Sequence, residues 1–272
     1  FSLHPRAASF WNSAVASSTG SAALTWNPAA ISLEENNEWF IMGTEAYETT
    51  YLKIDTLLQT PILPISIGYL HADFGSTYHT AQNSTTSRFQ TTTTTSRYLA
   101  QQFSIGTSKY IRPWLLAGLT ADYVKETLGN NSVNGIGLDF GLLALFNNWK
   151  FGIKADQLIQ TNMKWNTATK PSEMLPIITS VGIAKTWWIS RFGTTLDVKF
   201  QEHFKPTLHY GVELLPINML ALQLGINNGD LNMGLNLRLL PIEFHFSYQN
   251  QKFEALNTIY KFGLIYRWEK EK

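Results

Sequence analysis

The sequence predicts an all-β protein: a transmembrane antiparallel β-barrel of fourteen strands with an N-terminal plug in its lumen. Three observations predict it. Apolar and polar residues alternate with period two along most of the chain after residue 36, as strands with one apolar face require. The opposite face carries Gly, Ser, Thr, Asn and Gln with sparse charge, where a soluble sheet would present Lys and Glu to water. Tryptophan gathers at one end of the strands, as amphipathic rings do at a membrane interface. Composition agrees, since only 15% of the 272 residues are charged against roughly 25% in ordinary soluble domains.

Residues 1–36 do not alternate. They are small and polar, with Ala7, Ala8, Ala14, Ala16, Ala22 and Ala23 and few charges, and suit packing inside a lumen; residues 37–272 form the barrel. Strands are expected near 38–47, 50–60, 64–78, 97–109, 113–125, 135–146, 149–158, 176–186 and 189–200. The alternation is cleanest after that. Leu208, Tyr210, Val212 and Leu214 alternate with His209, Gly211 and Glu213. Leu220, Leu222, Leu224 and Ile226 do so with Ala221, Gln223 and Gly225, and Leu231, Met233, Leu235, Leu237 and Leu239 with Asn232, Gly234, Asn236 and Arg238. Ile242 to Tyr248 and Tyr260 to Trp268 complete an even count, with about 17 residues per strand and connection, which suits membrane strands of about 9 to 11 residues. Short connections at 61–64, 111–113, 147–148, 187–188, 216–217 and 240–241 interleave with longer ones at 79–96, 126–134, 159–175, 201–206, 227–230 and 249–256. Both termini therefore lie on the short-turn side.

Lys53, Asp55, Asp122, Asp139, Lys154, Asp197, Lys199 and Lys261 all fall on the set opposite the apolar one, the partition expected of a barrel with lipid outside and a polar lumen. Trp39, Trp114, Trp149, Trp187, Trp188 and Trp268 sit at the short-turn ends. Tyr47, Tyr51, Tyr78, Tyr98, Tyr123, Phe200, Tyr248 and Tyr260 lie toward the other end, giving two aromatic girdles. The longest apolar run, Leu142 to Phe146, is far short of the roughly 20 residues of a spanning helix. The 36 aromatics, 9 Trp, 11 Tyr and 16 Phe, exclude disorder. A net charge of +1 with scattered cations gives no basis for nucleic acid. The absence of cysteine excludes disulfides, thiolate metal sites and a cysteine nucleophile. The chain opens on Phe1 with no basic stretch and apolar core before it, which reads as a chain already trimmed of any signal peptide.

The run Pro5-Arg6-Ala7-Ala8-Ser9, then Ser13-Ala14-Val15-Ala16, then Ala22-Ala23-Leu24-Thr25-Trp26-Asn27-Pro28-Ala29 before a strand near Trp39 resembles the N-terminus of the FadL-like outer-membrane barrels, and within them the PorV and PorQ branch associated with type IX secretion. The resemblance implies an integral protein of the bacterial outer membrane, a fourteen-stranded barrel plugged by its N-terminal segment. Its partners would be outer-membrane lipid, small hydrophobic or amphipathic solutes passing through the barrel, or, in the PorV manner, a larger outer-membrane protein complex that a non-conducting barrel accompanies. Two departures stand out. The outer loops look too short for a large capture groove, and Phe10-Trp11-Asn12-Ser13 replaces the family's Gly-Met-Gly-Gly stretch.

Candidate lumen and plug residues are Arg6, Asn27, Pro28, Arg191, Glu213, Arg238, Glu243 and Arg267. The five ionic strand residues fall near the short-turn ends on the lumen face, forming a belt at similar depth, with Arg6 reaching its carboxylates. Such a belt could select ions or hold the plug; mutual neutralisation in a confined, partly wet space is the plainer explanation and the one favoured. No enzyme activity, cofactor or metal is expected. His209 and His245 lie on strands that are not neighbours, with no HExxH spacing, Gly135 to Gly141 lacks dinucleotide-loop spacing, and no Gly-x-Ser-x-Gly elbow occurs. Thr80 to Ser96, with Thr91 to Thr95 consecutive, reads as an exposed loop. A soluble all-β carbohydrate-binding module is the competing fold reading.

Overall fold

The computed structural model describes residues 4–10, 12–46, 48–82, 89–167, 171–187, 191–227, 230–250 and 258–269. In chain order the strands are β1 (Asn37–Ala46), β2 (Thr49–Leu58), β3 (Ile65–Gln82), β4 (Phe89–Arg112), β5 (Leu115–Leu128), β6 (Asn131–Phe146), β7 (Trp149–Gln160), β8 (Met163–Lys164) and β9 (Ser172–Glu173). They continue with β10 (Ile178–Trp187), β11 (Phe192–Gln201), β12 (Thr207–Ile217), β13 (Leu220–Asn227), β14 (Asp230–Leu239), β15 (Ile242–Gln249) and β16 (Ile259–Trp268). All but β8 and β9, a small hairpin between β7 and β10, form a closed antiparallel barrel of fourteen strands. The seam joins β1 to β16, with Asn37 opposite Trp268 and Glu45 opposite Tyr260.

The two faces separate as lipid outside and polar groups inside demand. Leu222 and Leu235 are 40% and 39% exposed, while Asn236, next to Leu235 on β14, is fully buried; a soluble sandwich requires the reverse, so the carbohydrate-module reading is overturned. Ile41, Ile67, Ile105, Leu119, Ile153 and Phe262 likewise point out, and Lys53, Asp55, Asp122, Asp139, Lys154, Asp197 and Lys261 are buried inside. An apolar exterior of this extent is stable against hydrocarbon, and a closed barrel leaves no unpaired strand edge there.

Trp39, Trp114, Trp149 and Trp187 are exposed at the end that carries the chain termini, where Trp39 meets Trp268 edge-on at 5.4 Å and Trp114 stacks on Phe146 at 5.4 Å. Lys185 places its Nζ 3.5 Å over the Trp187 ring. At the opposite end Phe74 stacks on Tyr98 at 4.5 Å and Tyr248 meets Tyr260 at 5.7 Å. Tyr47 and Trp188, expected in these girdles, lie outside the described residues.

Two expected loops are strands. The β3–β4 hairpin continues far past the barrel wall, with Ser76 to Tyr78 opposite Arg97 to Thr95 and Thr80 to Gln82 opposite Thr91 to Phe89, so residues 79–82 and 89–96 belong to strands, whereas residues 83–88 lie outside the described residues. Likewise β5 and β6 remain paired to Leu128 and Asn131, joined by a tight turn in which Gly129 adopts φ 57°, a conformation glycine tolerates without a Cβ penalty. Above the bilayer both strand faces meet water, so the alternation that marks a strand inside it fades.

Residues 4–10 and 12–36 pack against inward-facing residues of the strands as a chain of short pieces. These are α1 (Pro5–Ser9), a 3-10 turn (Gly20–Ala22), α2 (Ala23–Trp26) and a 3-10 helix (Pro28–Leu33). The largest buried apolar cluster is made between this segment and the inner wall: Ala16, Ala23, Leu24, Ala29, Ala30 and Ile31 against Leu57, Leu116, Leu143 and Ala184. A lumen wall that is mostly polar thus keeps a few apolar positions where the segment covers them.

Candidate functional site in the barrel interior

The Asn27-Pro28-Ala29 turn is the fastening of the segment. Asn27 leaves α2 in an extended conformation and starts the 3-10 helix, where Pro28 loses nothing by lacking an N–H. Its side chain is fully buried. The Nδ2 donates to Val15 O (2.8 Å) and to Leu142 O on β6 (3.1 Å), and the Oδ1 accepts from Ala29 N (3.1 Å). One amide therefore ties two stretches of the segment to each other and to the wall. The wall makes room with glycine. A Cβ on Gly118 would stand 2.3 Å from Pro28 C and 2.5 Å from Ala29 N, and one on Gly152 would stand 2.5 Å from Val15 O. All three neighbours are backbone atoms, so no side-chain rotation relieves the clash. Further along, Val15 N donates to Asp197 Oδ2 (2.8 Å), Asn232 Nδ2 to Ala8 O (2.7 Å) and Ser32 N to Ser108 Oγ (2.8 Å), so the segment touches much of the inner circumference.

At the terminus side an ionic network joins segment and wall. Arg6 Nη2 lies 3.2 Å from Glu213 Oε1, whose other oxygen accepts from Gln223 Nε2 at 2.6 Å. Arg267 bridges Glu243 (2.5 Å), Glu38 (3.0 Å) and Glu34 (3.6 Å), while Arg238 and His245 approach Glu243 Oε1 at 3.3 and 3.2 Å. Ser21 donates through its backbone N and its hydroxyl to Glu38 Oε1. The predicted residues thus divide into an Arg6–Glu213 pair and an Arg238–Glu243–Arg267 cluster. Arg191 joins neither. It sits in the turn before β11, exposed, donating to Pro216 O at 3.2 Å, because the strand begins one residue later at Phe192 and the alternation that would aim Arg191 inward does not extend to it. His4 packs beside this network, stacked on Phe40 at 4.4 Å and edge-on to His245 at 5.7 Å. Burial first, then the nearby His245, Lys53 and Arg6, hold His4 well below the ordinary histidine value.

Nearer the opposite end, Lys154 pairs with Asp139 (3.4 Å) and Asp156 and also donates to Thr25 O. Lys53 pairs with Asp55 (3.1 Å) and donates to Thr25 Oγ1. Cations thereby meet the C-terminal end of α2, where backbone carbonyls are left over. Among the described residues no group of three or more His, Asp or Glu is placed to hold a metal ion; His209 Nε2 instead lies 2.9 Å from Thr207 Oγ1.

No protein-family model matches the chain, and neither does any curated protein. Solved structures do. The Pseudomonas putida toluene transporter TodX is 13% identical, with 93% of this chain and 95% of that one covered and a TM-score of 0.62. The fold is that of the FadL-like outer-membrane barrels. A Pseudomonas aeruginosa FadL homologue supports it at 8% identity, coverage of 97% and 98%, and a TM-score of 0.58. In this FadL-like barrel, Glu38 was missed because its face on β1 also carries the buried Phe40 and Met42 while Trp39 and Ile41 point out, so apolar residues lie on both faces there and parity gives no signal. Trp26 and Ser21 carried no such signal, because the segment has no regular period to place them.

Proposed function

We propose that this FadL-like barrel passes small hydrophobic or amphipathic solutes across a bacterial outer membrane, with residues 4–36 as its plug. The observation that carries the reading is a chamber bordered by two aromatic rings inside a barrel whose exterior is apolar. The chamber on the terminus side, about 330 Å³, is bordered by Phe10 and Trp26 as well as by Arg6, Glu243 and Arg267, a size and mixed lining suited to a small amphipathic molecule. The likeness to a toluene transporter supports the same class of solute. In this role the ionic residues Arg6, Glu213, Arg238, Glu243 and Arg267 and the Asn27-Pro28 turn hold the plug. Reconstituted in liposomes, the full chain is expected to pass neutral apolar solutes, and flux is expected to rise when residues 1–30 are deleted. Barrels that are folded yet inert in both forms overturn the reading.

A second reading, a non-conducting PorV- or PorQ-type partner in an outer-membrane assembly, draws on the firmness with which the segment is fastened and on the β3–β4 hairpin, whose 18- and 24-residue strands project well beyond the length a bilayer needs. It requires that gentle detergent extraction bring down a larger outer-membrane protein, and a lone monomer under all conditions counts against it.

A further inference from the structure

Three chambers inside the barrel form a chain in which one boundary is marked by a single side chain. Toward the outer end lie a chamber of about 210 Å³, bordered by Asn12, Trp26, Asp197 and His209, and one of about 320 Å³, bordered by Gln102, Asp122 and Gln157. These two share Thr25, Lys154 and Asp156, so they are two lobes of one vestibule. The chamber on the terminus side shares a single lining residue with that vestibule among the described residues, and it is Trp26.

We propose that the Trp26 indole is the constriction of the lumen, the side chain that a solute displaces in passing between vestibule and inner chamber. Its backbone is immobilised from both sides. Lys154 holds Thr25 O, and the three hydrogen bonds of Asn27 hold the next residue. The ring itself is not tied down: its buried Nε1 has no acceptor among the described residues. A fixed Cα with an untethered indole confines movement to side-chain rotation, which crosses between staggered wells without disturbing the segment. The chemistry of the partition sets what passes. Both chambers are lined with charged groups, yet the residue they share is aromatic, and such a ring resists wetting and ions and offers a flat neutral solute a stacking surface. The constriction is therefore a barrier to hydrated ions that is permissive to planar aromatic molecules. Only the second half rests on the channel reading above.

The test uses the full chain, folding being checked by heat-modifiable electrophoretic mobility. Trp26→Ala is expected to raise ion conductance in planar bilayers by about tenfold or more, the response to a barrier lowered by one decade, with Trp26→Phe staying near the wild-type value. Because the sequence has no cysteine, Trp26→Cys is uniquely addressable. It should conduct like the alanine variant and return to the low wild-type level when a bulky aromatic maleimide is attached. Folded Trp26→Ala with wild-type conductance overturns the constriction even if the wild type carries toluene. A leaky Trp26→Ala beside a wild type that carries no aromatic solute upholds the constriction and overturns the transport reading.

Discussion

Replacing Asn27 by alanine isolates what fastens the segment to the wall. The substitution removes two donated bonds and one accepted bond at a fully buried position, leaving Val15 O, Leu142 O and Ala29 N without that partner. At about 1 kcal/mol for each lost bond, the docked segment is weakened by about 3 kcal/mol, which raises the population of its undocked form roughly a hundredfold. Ala30, fully buried beside the turn, supplies the reporter. An Ala30→Cys background has one thiol, and its labelling by a small reagent tracks the open population when reclosing is fast. Adding Asn27→Ala should accelerate labelling about a hundredfold, and Asn27→Asp, which aims a carboxylate at two carbonyls, at least as much. A change under about threefold refutes the idea that this amide is the fastening.

Three further outcomes follow from the same geometry. Arg267→Ala leaves Glu38 and Glu243, 1% and 3% exposed, without their shared cation, and is expected to cost about 3 to 5 kcal/mol in chemical unfolding from micelles, with Arg267→Lys intermediate; a loss under about 1 kcal/mol contradicts the network's role. Gly118→Ala drives a methyl into Pro28 and Ala29 backbone and should cost about 1 to 3 kcal/mol of segment docking, read by thiol labelling in the same Ala30→Cys background, whereas Gly43→Ala, with nothing within 4 Å, should leave labelling unchanged; equal behaviour of the two variants would exclude the close fit. Leu235→Arg places a charge on the lipid face in mid-strand and is expected to destabilise the barrel in bilayer vesicles by about 2 to 4 kcal/mol, and a neutral result would remove Leu235 from the hydrocarbon.

The membrane portion of the fold was legible because lipid enforces the simplest of patterns. From β10 to β16 every second residue must be apolar to face hydrocarbon, and the alternation of Leu231, Met233 and Leu235 or of Tyr260, Phe262 and Leu264 marks strand, face and register together. Where β3, β4, β5 and β6 rise out of the bilayer no solvent distinction remains between faces, so Glu126, Thr127, Asn131 and Ser132 look like a loop although they are paired. The interior was legible only in part. Parity placed Glu213, Arg238, Glu243 and Arg267 inside, but which acid meets which base depends on the height of each residue along tilted strands. Arg191 fails for a different reason, lying in the turn before β11 where the alternation does not reach. Trp26 was beyond reach, since its position follows from how a nonrepetitive segment coils within a wall built by distant residues.

One guanidinium serves two joints. The barrel's closing seam pairs its first and last strands, β1 with β16, and at that seam Arg267 links Glu34 of the N-terminal segment, Glu38 of β1 and Glu243 of β15. The clasp of the cylinder and one mooring of the segment therefore share a side chain, so that a change at either is felt at the other.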